Sequence, residues 1–343
     1  MYSRALGCLL AGACGDALGY PVEFITNSMI KSLYGSEGIT TMVLVSGDAE
    51  VSDDTQMAIY TSQGLIEADR RKCNYHDTVV EVHKSYLRWN YGQTGAFGPN
   101  ALALYNKKEL LNDVLTKGGK NGALRDYRAP GNTCVHTLSG CGFCTKENPK
   151  NNSKGCGTVM RVAPVAIAKQ SLDEAYNLGC DTSALTHGHV LGWASGGALV
   201  AILHFIFEGS SIEQAIQQAI QYCETKPECA TLIPVMKNAV QVAKEGLTGD
   251  EAFERLGKGN VAEEALAIAM WASLMYPNDV RRALIAAVNH SGDSDSTGCV
   301  AGYIVGAANG AENVPKDWLE HLELKDVIEK QVKEMLHMKW IVC

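Results

Sequence analysis

The chain has 343 residues, 46% apolar and 20% charged, a balance that excludes an extended disordered chain and suffices to bury a core around a cleft. Its 38 acidic residues against 30 basic ones give a net charge of −8. That excludes a general attraction to nucleic acid or to an anionic membrane surface.

Helical periodicity runs along the chain. Leu6, Leu9, Leu10 and Ala13 mark one face of a first helix, which ends in a Gly-rich element containing Gly12, Gly15, Asp16, Gly19 and Glu23. Met57, Tyr60 and Leu65 mark a second face, on the helix Gln56–Ala68, and Val79, Val82, Tyr86 and Leu87 a third. Further helices are predicted over Leu172–Ala184, Val190–Phe207, Ile212–Cys223, Leu232–Glu245, Glu263–Met275, Arg281–Val288, Thr297–Ala308 and Leu324–Leu336. Only Ile39–Val45 has the look of a strand. Strands and helices do not alternate, so a nucleotide-binding parallel sheet is not expected.

The run Val190–Phe207 comes nearest to a membrane span. Gly192, Ser195, Gly196, Gly197 and His204 break it, so it reads as a buried core helix. The twelve cysteines are scattered, and Met1-Tyr2-Ser3-Arg4 runs into an apolar helix without a signal-peptide cleavage pattern. The expectation is a cytoplasmic protein with reduced thiols. Gly118 to Gly157 is rich in Gly, Asn, Lys, Pro and Cys, shows no period, and is too long for an ordinary connection. No repeat or linker divides the chain, so residues 1–343 are read as one domain.

Two acidic clusters carry the chemistry. Ser52-Asp53-Asp54-Thr55 precedes the Gln56–Ala68 helix, and Gly292-Asp293-Ser294-Asp295-Ser296-Thr297-Gly298 precedes the last-but-one helix. Either cluster can be a helix cap, since Ser and Asp suit that position and negative charge suits a helix N-terminus. Two carboxylates in a hydroxyl-rich run exceed what one cap needs. If the clusters share a cleft, each carboxylate pair at ~4 Å costs roughly 1 kcal/mol in water and about 4 at an effective dielectric of 20. Divalent cations relieve that cost. Carboxylates and hydroxyls are hard oxygens that favour Mg²⁺, Mn²⁺ or Ca²⁺ over Zn²⁺.

Other readings compete. Asp293-x-Asp295-x-Thr297 matches the pattern of aspartyl-phosphate phosphatases, but it follows a helix rather than a strand. A calcium loop needs Glu at its twelfth position, which is Ile304. Gly155-Cys156-Gly157, followed by Met160 and Arg161, is a turn whose backbone N–H groups can hold phosphate oxygens. Thr186-His187-Gly188-His189 has poor spacing for two ligands from one helix, so a satisfied or substrate-contacting histidine is expected. Cys134, Cys141, Cys144 and Cys156 match no zinc spacing.

Together, Gly12–Glu23, Ser52–Thr55, Pro130–Cys134, Asn151–Pro164, Thr186–Ala198 and Gly292–Ala301 resemble, in order and over nearly the whole chain, the ADP-ribosylglycohydrolase family, which includes the dinitrogenase reductase-activating glycohydrolase. The resemblance implies an all-α orthogonal helical bundle with two Mg²⁺ (or Mn²⁺) in a central cleft. By position it implies metal ligation by Ser52, Asp53, Asp54, Asp293, Asp295 and Ser296. The family's second triplet often ends in Thr, and Thr297 is next in line, so either hydroxyl fits. It implies catalytic roles for Glu23, on a mobile loop, and for Asp54 and Asp293. It places Ser153, Gly155 and Gly157 near the diphosphate and ribose, and His187 near bound ADP-ribose.

The implied activity is hydrolysis of the bond between ADP-ribose and a modified protein side chain, with arginine first, and serine-linked ADP-ribose or O-acetyl-ADP-ribose as alternatives. A catalytically silent ADP-ribose-binding module is a further alternative, against which the intact acidic clusters argue, and a phosphatase is another. The partners implied are ADP-ribose and an ADP-ribosylated protein, with neither nucleic acid nor membrane.

Overall fold

The apolar face of Leu6, Leu9, Leu10 and Ala13 belongs to a helix running Tyr2–Gly19 in the computed structural model, which describes residues 1–111, 122–168 and 171–338. From Ala5 to Gly19 this helix is buried on every side. It lies antiparallel against the helix Ser294–Asn309, with Gly7 facing Gly306 and Gly15 facing Gly298. Gly298, Gly302 and Gly306 stand four apart and so form one ridge of their helix. A β-carbon on Gly15 would fall 2.0 Å from the Gly298 carbonyl oxygen, and one on Gly302 would fall 2.1 Å from that of Ala11. Only glycine lets the two backbones touch. The contact carries the C-terminal end of the first helix to the N-terminal end of Ser294–Asn309.

Around this pair the described residues form an all-helical bundle, with eighteen α-helices and no strand. The helices predicted from Leu172 onward appear within one to three residues of their expected bounds, the usual scatter at frayed ends. Val190–Phe207 and Tyr2–Val22 are both long and apolar enough to cross a membrane, yet both are mostly buried inside the fold. Small residues line the first of these helices, so neighbours pack against Ala194, Ala198 and Ala201.

Two expectations need correction. Ile39–Val45 forms no strand. It is irregular, and Val45 and Asp48 close an isolated bridge around Ser46 and Gly47, both at positive φ. Ile39 is instead fixed by its N–H donating to Asn289 Oδ1 at 2.8 Å. An extended apolar run with no partner strand gains no ladder. The second correction concerns Gly118–Gly157, which contains a helix, Asn132–Gly140. Only Cys134, Thr137 and Leu138 are buried on it, too few apolar positions to print a period. Residues 118–121 of that stretch lie outside the described residues.

Candidate functional site: an acid cluster between two helix N-termini

The helix Asp53–Arg71 begins at Ser52, whose Oγ accepts the Asp54 N–H at 3.2 Å. The helix Ser294–Asn309 begins at Asp293, whose Oδ1 accepts the Ser296 N–H at 3.2 Å. The capping reading therefore holds for Ser52 and Asp293. The same caps bring their carboxylates together. Oxygens of Glu23, Asp293 and Asp295 all lie within 4.8 Å of one another, and the charges of Asp53, Asp293 and Glu23 act on Asp54. Asp53, Asp54, Asp293 and Asp295 are buried, and Glu23 is partly exposed.

Asp53 Oδ2 accepts the Gly131 N–H at 3.1 Å, and the Asp53 N–H donates to the Arg128 carbonyl at 3.1 Å. Asp54 Oδ2 is buried with no partner. Among the described residues none of these five acids forms an ion pair with Lys or Arg, whereas Lys154 pairs with Glu263 and Arg128 with Glu323 nearby. The protonation balance follows. Burial, reinforced by the charges of Asp293, Asp53 and Asp16, pushes Glu23 up to about 8. Burial also pushes Asp53 up to about 8, although the Gly131 amide opposes it. Asp54 and Asp295 are driven well above the carboxylate range, first by burial and then by their neighbours. Five converging acids with an orphaned buried oxygen and no cationic side chain form a hard-oxygen donor set that fits divalent cations.

The two candidate hydroxyls separate. Thr297 Oγ1 lies 2.9 Å from the Ala287 and Asp293 carbonyl oxygens and 2.9 Å from His290 Nε2, so it is engaged behind its own helix turn. The Ser296 backbone N–H meets both Asp293 Oδ1 and Asp295 Oδ1, so the backbone at Ser296 faces the acids.

The predicted ligand-contacting residues gather on one wall. Ser153 Oγ shares a hydrogen bond with Thr133 Oγ1 at 3.0 Å and accepts the Gly155 N–H at 3.3 Å. A β-carbon on Gly157 would stand 3.0 Å from His187 Cε1, and one on Gly155 3.2 Å from its Nε2. His187 is thus packed behind the turn. Arg161 Nη2 donates to Thr186 Oγ1 at 2.7 Å, and Thr186 Oγ1 lies 2.8 Å from His187 Nδ1. The guanidinium can only donate, so the Thr186 hydroxyl accepts from it while also meeting the His187 ring, and the two contacts fix the ring's orientation. Burial, then the Arg161 charge, lowers His187 to about 3, so the ring is neutral. His189 Nδ1 caps the helix Val190–Phe207 by accepting the Leu191 N–H at 3.0 Å, which removes it as a ligand.

Sequence reasoning noted Asp16 without giving it a role. Its buried carboxylate accepts the Ser52 N–H at 2.9 Å and the Thr55 N–H at 3.0 Å, so it fixes the first turn that carries Asp53 and Asp54. Its only sequence signal was an acid inside a Gly-rich apolar helix, where burial without a partner is costly. Glu23 follows a short 3₁₀ turn, Tyr20–Val22, and the next N–H, that of Phe24, donates to the Gly292 carbonyl at 2.8 Å. That bond ties the Glu23 segment to the second acidic cluster.

A family model described as ADP-ribosylglycohydrolase matches residues 1–341. The chain belongs to the ADP-ribosylglycohydrolase family. It is 24% identical over 339 residues to the ADP-ribosylarginine hydrolase Tri1 of Pseudomonas putida (strain GB-1), covering 97% of this chain and 77% of that one. It is 25% identical to the mouse ADP-ribosylhydrolase ARH3, covering 94% and 88%. It is 23% identical to the ADP-ribosyl-[dinitrogen reductase] glycohydrolase of Rhodospirillum rubrum, covering 98% and 95%. A solved structure titled ADP-ribosylglycohydrolase-related protein complex shares its fold, with a TM-score of 0.59, 20% identity and 98% of each chain covered. The chain is therefore an enzyme of ADP-ribosyl hydrolysis, and the phosphatase and silent-module readings fall away.

Proposed function

We propose that this ADP-ribosylglycohydrolase is metal-dependent and releases ADP-ribose from modified arginine on a protein. The observation that carries this is the convergence of Glu23, Asp53, Asp54, Asp293 and Asp295 with Asp54 Oδ2 left unpaired. Ser52, Asp53, Asp54, Asp293, Asp295 and Ser296 would hold two Mg²⁺ or Mn²⁺. When bound, such cations supply Lewis acidity toward ribose hydroxyls and lower the pKa of a water.

The chain's own groups supply the rest. Backbone N–H groups of the Gly155–Gly157 turn, with Ser153, cradle the diphosphate. The neutral His187 stands behind the same turn with Nε2 and Cε1 toward it, where it supports the turn against the substrate. Glu23 is the most exposed acid of the cluster, so it is suited to exchange a proton with the leaving side chain or the attacking water. Positive character on the anomeric carbon and a guanidinium leaving group both suit an anionic cleft, and two of the relatives are named for arginine linkages or dinitrogen reductase. Incubation with Mg²⁺ and arginine-, serine- or acetyl-linked ADP-ribose, with the products identified, tests this reading. Preferential turnover of the serine or acetyl linkage would replace arginine.

A further inference from the structure

Cys156 stands between the two glycines of the ligand-facing turn, and its thiol donates to Asp293 Oδ2 at 2.8 Å. The turn is held in place from both sides. Gly155 pairs with Val261 in an isolated bridge, and the Ala262 N–H donates to the Lys154 carbonyl at 2.8 Å. Gly157 packs against Cys134 and His187 with no room for a β-carbon. The backbone that carries the thiol beside the acid cluster is therefore fixed. Cys156 as a residue is half-buried, with its sulfur turned inward against Asp293. Across the cluster, Asp54 Oδ2 is buried and unpartnered, and the charges of Asp293 and Asp54 both act on the Cys156 sulfur.

We propose that Cys156 is a soft donor built into the hard-oxygen cluster. With Asp293 and the neighbouring carboxylates it makes a mixed sulfur–oxygen site that takes a thiophilic divalent cation, Zn²⁺ or Cd²⁺, in competition with Mg²⁺ and Mn²⁺. The inference rests on the reading of the acids as metal ligands. Zinc sits about 2.3 Å from sulfur and about 2.1 Å from carboxylate oxygen, so two such donors at a tetrahedral angle stand roughly 3.6 Å apart. The present sulfur–oxygen distance of 2.8 Å needs to open by less than an ångström. On coordination the S–H···O hydrogen bond breaks, the thiol proton leaves to solvent and a metal–sulfur bond forms. Thiolate favours zinc-like ions, whereas the oxygens alone favour Mg²⁺ and Mn²⁺. One side chain thus sets how readily the centre is captured by the wrong cation.

The test titrates the full-length, metal-free protein with Cd²⁺ and follows the sulfur-to-cadmium charge-transfer absorption, with Mn²⁺ binding measured in parallel by calorimetry. The wild type is expected to show the band. Cys156→Ser is expected to lose it, to bind Cd²⁺ and Zn²⁺ at least tenfold more weakly, and to bind Mn²⁺ within about threefold of wild type. Cys156→Ala serves as a second variant with no oxygen donor, and should likewise lose the band. A band that persists in both variants, or equal weakening of Cd²⁺ and Mn²⁺, overturns the proposal. If Mn²⁺ binds the wild type but no band forms, the Cys156 inference fails alone. If the Cys156-dependent band forms but Mn²⁺ never binds, the soft site stands and the hard-cation reading fails.

Discussion

Gly15 and Gly298 meet backbone to backbone: a β-carbon on Gly298 would lie 2.4 Å from the Gly15 carbonyl oxygen, and one on Gly15 2.0 Å from that of Gly298. Further along the same crossing, a β-carbon on Gly19 would lie 2.3 Å from the Ser294 carbonyl oxygen. Four residues beyond Gly19 comes Glu23, and Ser294 lies between Asp293 and Asp295. The distance between Glu23 and the second acidic cluster is therefore set by a glycine contact outside the site. Gly15→Ala should force the helices apart and lower stability by about 1–3 kcal/mol or more. It should also reduce activity in the fraction that remains folded. Gly140→Ala, with open space around it and no positive φ, is the control. Thermal melts and turnover together check this, and an unchanged Gly15→Ala enzyme would refute it.

Chelation should abolish turnover, and Mg²⁺ or Mn²⁺ should restore it. Asp54→Ala and Asp293→Ala should each be inactive, because each removes a carboxylate from the converging set. Binding to the native state alone adds about 2.7 kcal/mol at a hundredfold excess over Kd. Full activity in excess chelator would exclude the metal reading.

The gain from metal should grow with pH. Glu23 and Asp53 are held near 8 in the metal-free protein, mainly by burial. A raised folded-state value means the folded chain keeps protons that the unfolded chain has released. Their contribution is fully present below the unfolded value near 4 and is lost as pH rises toward 8. Cations compete with those same protons. The Tm increase on adding Mn²⁺ should thus be larger at pH 8 than at pH 6, and an increase independent of pH would count against it.

Glu23→Gln should lower kcat by roughly 10²–10⁴-fold with little change in ADP-ribose affinity, as expected of a group that acts when charge develops. Near-normal turnover with ADP-ribose still bound would move the proton transfer to another residue.

Asp16→Ala should orphan two buried amides, those of Ser52 and Thr55, at about 1–3 kcal/mol each. A positioning role further requires that Mn²⁺ affinity fall along with stability, because Asp53 and Asp54 ride on that turn. Loss of stability with unaltered Mn²⁺ affinity would leave Asp16 a purely structural acid.

Away from the site, His83 is buried and lowered to about 4 by burial. Its folded value lies below its unfolded one, so the unfolded chain binds the extra proton and stability falls as pH drops from about 6.5 toward 4. Unfolding free energies should therefore decline less steeply between pH 6.5 and 5 in His83→Gln than in wild type.

The sequence by itself determined the helical class, because a 3.6-residue apolar period survives in any window long enough to hold it. It also determined the family and the identity of the acids, because Ser52–Asp54 and Asp293–Ser296 are contiguous motifs. It did not reveal the Asn132–Gly140 helix, whose few buried residues leave no period, and it misread Ile39–Val45, whose apolar run lacks a partner strand. Only the tertiary structure brought Glu23 and Asp295 within 4.8 Å, since that proximity depends on glycines packed hundreds of residues apart in sequence. It also turned Thr297 away toward the Ala287 carbonyl and held the Ser296 backbone N–H against the acids. It set Asp16 beneath the first cluster and aimed Cys156 at Asp293. Those are directional contacts between distant segments, and a hydrogen bond's direction is fixed by packing, which no local pattern of residues records.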